Sequence, residues 1–78
     1  MDYNAKLNLK RVRLSNDKIY NDFIDFLKEN MTKVGTTYYE MMQAKILALS
    51  FVEATEEIGA DSFAILRDIA LCYYRINF

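Results

Sequence analysis

The chain has 78 residues, 10 Lys and Arg against 11 Asp and Glu, no His, Pro or Trp, one Cys and two Gly. That length sets one domain as the upper bound. The absences exclude Ser-His-Asp and Cys-His catalysis, zinc sites built on His or Cys, an internal disulfide, and the glycine loops that cradle nucleotides.

Residues 1–14 form a basic segment, with Lys6, Lys10, Arg11 and Arg13 against Asp2 alone. Leu7 and Leu9 alternate with polar neighbours, as do Val12 and Leu14, which reads as a short strand. The phase slips between Leu9 and Val12, so a bulge or a bend at Lys10-Arg11 is needed to keep one face apolar. An extended arm is the other reading. The first helix is predicted to start at Ser15 or Asn16, with Asp17 in a first turn that favours an anion. Ile19, Phe23, Leu27 and Met31 then recur every four residues, flanked by Tyr20, Ile24 and Phe26.

The second helix is predicted over residues 37–58. Thr37 and Glu40 have capping-box spacing at its start, and Gly59 is the expected left-handed C-cap. Its middle, residues 44–52, is polar only at Lys45 and Ser50, so cover is expected on nearly every side. Glu53, Glu56 and Glu57 stand at the end where the helix dipole disfavours them. The third helix is predicted from Asp61 as N-cap to about Ile76, with apolar rows at Phe63, Leu66, Ala70, Tyr73 and at Ile65, Ile69, Cys72, Ile76.

These elements predict an all-α fold: a three-helix domain over residues 15–78, its second and third helices hairpin-like, preceded by a basic strand or arm at residues 1–14. A chain this short leaves much of its surface exposed, and 53% of its residues are apolar, so apolar surface should remain to meet another chain. A homodimer is expected, with the second helix at its interface and the third as a further candidate there. Tyr38, Tyr39, Met41, Met42, Leu49, Phe51, Tyr73 and Tyr74 are the interface candidates, since Tyr gives contact area with little entropy loss and Met adapts to its partner. No run approaches the ~20 apolar residues of a membrane span. Neither a signal-peptide core nor a lipidation motif is read in the terminal residues, and the unpaired Cys72 suits a reducing cytoplasm.

Lys6, Lys10, Arg11 and Arg13 are the candidate contacts to a protein partner or to nucleic acid. Arg11-Val12-Arg13-Leu14-Ser15, followed by a helix, the corner Gly35-Thr36-Thr37 and an apolar helix, resembles the ribbon-helix-helix family of DNA-binding proteins. The resemblance implies a dimer whose paired strands enter the major groove. Arg11 and Arg13 would then face DNA, Val12 and Leu14 the core, and the Gly35-Thr36-Thr37 corner a phosphate. Lys10 stands where that family has a core residue, and the third helix is an addition. The acidic group Glu53, Glu56, Glu57 and Asp61 matches no cation-binding loop and reads as a solvated helix end.

No catalytic set, cofactor or metal site is expected. The leading expectation is a non-enzymatic interaction protein that binds a larger protein as inhibitor, adaptor or regulatory subunit. Small apolar chains of this composition look like accessory proteins of phages or mobile elements, among them inhibitors of host defence. The alternative expectation is a dimeric DNA-binding transcriptional regulator of the ribbon-helix-helix kind.

Overall fold

The structure, a computed structural model, describes residues 2–78. It is all-α, with four helices where three were predicted: α1 (Tyr3–Leu14), α2 (Asp17–Asn30), α3 (Thr37–Ala54) and α4 (Phe63–Asn77), the last entered through a 3-10 turn at Ala60–Ser62.

The largest correction concerns the basic segment, which is a helix and not a strand or extended arm. Asp2 caps it, its carboxylate accepting from the Asn4 and Ala5 amides at 3.0 and 3.3 Å. Helical geometry also removes the phase slip. Tyr3, Leu7, Lys10 and Leu14 recur at i, i+4, i+7 and i+11 on one face, and Leu7 and Leu14 pack against the core. Leu9 and Val12 share another face and are 65% and 72% exposed. Two apolar rows on different faces of one helix thus imitated the alternation of a strand. The paired strands that the ribbon-helix-helix resemblance requires have no counterpart among the described residues.

α1 ends at Ser15, the one non-glycine residue at positive φ among those described (φ 59°), its amide donating to the Arg11 and Val12 carbonyls. Asn16 follows at once and caps α2 by accepting from the Ile19 amide at 3.1 Å. Because cap and turn share two residues, α1 and α2 meet at a tight corner. α1 then lies chiefly along α4.

The core forms where α2, α3 and α4 converge. Ile19, Phe23 and Leu27 enter it from α2, Ala44, Ala48 and Phe51 from α3, and Leu66, Ile69 and Ala70 from α4. Phe51 sits 4.9 Å from Phe23 and 5.6 Å from Phe26, ring centre to ring centre, distances typical of tilted aromatic pairs. Ala44 and Ala48 let α3 approach its neighbours closely at the positions where its predicted apolar girth is covered.

Three predicted boundaries shift for identifiable reasons. Thr36, not Thr37, caps α3 by accepting from the Tyr39 amide at 3.2 Å; this releases Glu40 from the capping box and gives it to Arg75 at 2.7 Å. α3 stops at Ala54, four residues before Ile58. Glu56 and Glu57 therefore leave the helix end, where the dipole opposes them, while Ile58 folds back onto the core. Gly59 is not a left-handed cap (φ −85°). A Cβ there would lie 2.7 Å from an Asp61 carboxylate oxygen, a contact that the exposed Asp61 side chain can relieve by turning away. Asp61 itself lies within the 3-10 turn and does not cap α4.

Two side chains fix the connection between α2 and α3. Gln43 accepts from the Thr32 amide and donates to the Thr32 carbonyl, both at 2.8 Å. The Tyr74 hydroxyl accepts from the Val34 amide at 3.1 Å and donates to the Val34 carbonyl at 2.9 Å. Each amide and carbonyl of these loop residues is thereby satisfied by one side chain that can both give and accept.

Candidate functional site

The interface candidates divide cleanly. Phe51 and Tyr74 are core residues, so neither can meet another chain: the first fills the aromatic cluster and the second clamps the loop. Met41 and Tyr73 are half-buried. Tyr38, Tyr39 and Leu49 are exposed, and Met42 is half-buried beside them. The reading of α3 missed Ile46, which is 56% exposed against 49% for Leu49. At about 100° per residue, Tyr39, Met42, Ile46 and Leu49 fall on the side of α3 opposite Ala44, Ala48 and Phe51. α3 is therefore apolar on two opposite faces, one inside the core and one uncovered. The spacing of 39, 42, 46 and 49 was the available signal. A uniformly apolar helix hides it, because the inward row has the same period.

The basic residues divide too. Lys6, Lys10 and Arg13, at i, i+4 and i+7 of α1, line a cleft of about 660 Å³ between α1 and α4, with Tyr3, Leu9 and Val12 on the α1 side and Asp68, Leu71, Cys72 and Arg75 on the other. Lys10 reaches Asp68 at 3.4 Å. Arg75 is held by Glu40 and lies 3.4 Å from the Tyr3 hydroxyl, which ties α4 to α3 and α1. Lys6 stands over the Tyr3 ring at 5.4 Å. Among the described residues Lys6 and Arg13 form no ion pair, so the cleft carries uncompensated positive charge beside apolar wall. Arg11 points elsewhere. It pairs with Asp17 at 3.1 Å and covers the Tyr20 ring at 5.1 Å, bracing the α1–α2 corner.

Cys72 lies at the back of this cleft. Burial pushes its thiol up and Asp68 adds to that, outweighing the downward pull of Lys6 and Lys10. Such a thiol is a poor nucleophile, since the thiolate is the reactive form. Glu53, Glu56, Glu57 and Asp61 are exposed, and no three or more carboxylates or thiols converge to hold a metal ion among the described residues. No described helix is long and apolar enough to cross a membrane.

The molecule thus offers two surfaces of opposite character, a cationic cleft at α1/α4 and an apolar stripe on α3. Compared with protein-family models, with curated proteins and with solved structures, the chain matches none.

Proposed function

We propose that this chain is a non-enzymatic interaction protein of the cytoplasm that engages an acidic surface of a larger protein partner through the α1/α4 cleft. The observation that carries the reading is the convergence of Lys6, Lys10 and Arg13 on one wall of a cleft that also presents Leu9, Val12 and Leu71. Charge steers and orients a partner, while apolar wall supplies area that a bare electrostatic patch lacks. The absence of His from the sequence and the raised Cys72 thiol support a binding role over catalysis. The functional unit is a homodimer, and occupying the partner makes the protein an inhibitor, adaptor or regulatory subunit. Inhibition of host defence by a phage or mobile-element accessory protein is one setting that fits.

The test is affinity capture from nuclease-treated lysate of the source cells. The unmodified chain is compared with Lys6→Glu/Arg13→Glu and with the control Lys28→Glu on the exposed side of α2. The expected result is a partner that the unmodified chain and the control retain, that the double reversal loses, and that elutes as salt rises. Equal capture by all three variants overturns the cleft as the site. Binding of duplex DNA at low salt, abolished by the double reversal, transfers the cleft to nucleic acid.

A further inference from the structure

We infer that a second copy of this chain covers the outward face of α3, with the two α3 helices antiparallel and the two-fold axis crossing each at the level of Ala44. This rests on the homodimer proposed above and names its surface, orientation and register.

The stripe Tyr39, Met42, Ile46, Leu49, Glu53 has the alternating three- and four-residue spacing of a helix–helix seam. Its four apolar members are symmetric about Ala44: Tyr39 and Leu49 stand five residues on either side, and Met42 and Ile46 two. A closed dimer needs a patch that is complementary to itself. Reversing the helix about Ala44 maps the large side chains onto one another, so Tyr39 meets Leu49 of the second copy and Met42 meets its Ile46. On the flanks the two-fold keeps each position on its own side of the seam. Lys45 and Tyr38 run beside their own counterparts, the Lys45 ammonium reaching out to solvent on its long stem. Gln43, already engaged by Thr32, lies on the other side with Ser50.

Charge selects the antiparallel arrangement. With the helices parallel, Glu53 would face its own copy in the seam and the helix dipoles would lie side by side in the same sense. With them antiparallel, Glu53 reaches the N-terminal end of α3 of the second copy, where the helix dipole is positive. Core contacts hold the stripe in place from behind, since Ala44, Ala48 and Phe51 are buried on the opposite face. The seam spans about 15 Å along the helix, which suits a weak dimer with an interface at the small end of the usual range.

The experiment uses the full chain with Tyr39→Cys/Leu49→Cys in a Cys72→Ala background, oxidised gently and mapped by peptide mass spectrometry. A disulfide between position 39 of one copy and 49 of the other is expected. In the antiparallel register like positions lie roughly 15 Å apart along the axis, well beyond the reach of a disulfide. Links of 39 to 39 or 49 to 49, in a chain that sediments as a dimer, overturn the register while leaving the homodimer standing. A monomer with no cross-link, and sedimentation of the unmodified chain as a monomer at several hundred micromolar, overturn both. Ile46→Glu gives a second reading: dimer affinity should fall about tenfold or more with helix content unchanged, and an unaltered sedimentation profile counts against the surface.

Discussion

α1 and α3 both expose apolar side chains, Leu9 and Val12 on the one and Tyr38, Tyr39, Ile46 and Leu49 on the other, but are held in place by different forces. α1 buries no residue completely. It is fixed by its ends, the Asp2 cap and the Ser15–Asn16 corner, by the half-buried Leu7 and Leu14 against the core, and by its packing along α4. α3 places Ala44, Ala48 and Phe51 in the core, so its outward stripe stands on a fully packed bed. An element held by caps and surface contacts opens at low free energy, whereas one held by core contacts opens only with the whole molecule. The cationic cleft therefore has one wall, α1, with no fully buried residue to anchor it, which puts α1 nearer to local opening than α3. The α3 stripe is backed by Ala44, Ala48 and Phe51, the firm bed that the proposed seam needs.

The sharpest way to break this comparison is to truncate both faces of α3. Phe51→Ala should lower stability by about 3–5 kcal/mol through lost burial and the cavity left beside Phe23 and Phe26. Ile46→Ala should stay within about 0.5 kcal/mol for the monomer, as exposed positions do. Urea unfolding at low protein concentration measures both, and equal losses would show that the stripe is not outside the core. Tyr74→Phe comes next. It keeps the ring but strands the Val34 amide and carbonyl, with an expected loss of about 1–3 kcal/mol and faster hydrogen exchange at Val34.

Asp2→Ala tests α1 from its end. Loss of a side-chain cap costs about 1 kcal/mol, and the effect should concentrate in α1: hydrogen exchange accelerates over Asn4 to Lys10 while the amides of α4 keep their protection. Uniform acceleration across all four helices would mean that α1 belongs to the same cooperative unit as α3. The smallest effect is expected from Lys10→Ala. Its ion pair with Asp68 lies at the surface and contributes about 0–1 kcal/mol to stability, so thermal unfolding should barely move. Capture of an acidic partner through the cleft should still weaken, because the charge acts on the partner more than on the fold.

What could be read in advance follows the range of the interactions that decide each feature. The start of α2, expected at Ser15 or Asn16 and found with Asn16 as its cap, and the row Ile19, Phe23, Leu27 are set within a few residues. The Thr36 cap was displaced by one position because Thr36 and Thr37 offer the same hydroxyl, and Arg75, 35 residues away from Glu40, settles the choice. α1 was misread because Leu7, Leu9, Val12 and Leu14 satisfy a strand period locally. The Asp2 cap and the surface of α4 make the helical period win. Of the candidate site, the cations of α1 were visible as residue types. That Lys6, Lys10 and Arg13 face Arg75 across one cleft while Arg11 turns to Tyr20 depends on where α4 and α2 lie.

By itself the sequence determined that this chain is helical and rich in apolar residues, and that it lacks the His on which Ser-His-Asp and Cys-His sites depend. Composition, spacing and local caps are one-dimensional properties, and they suffice for those conclusions. Only the tertiary structure decided which side of α3 meets water. Ile46 and Leu47 are equally apolar neighbours, and nothing within the helix distinguishes them. Leu47 packs against the core and Ile46 is left outside because α2 and α4 converge on the side of Ala44 and Ala48, where small residues allow the closest approach and the largest dispersion gain.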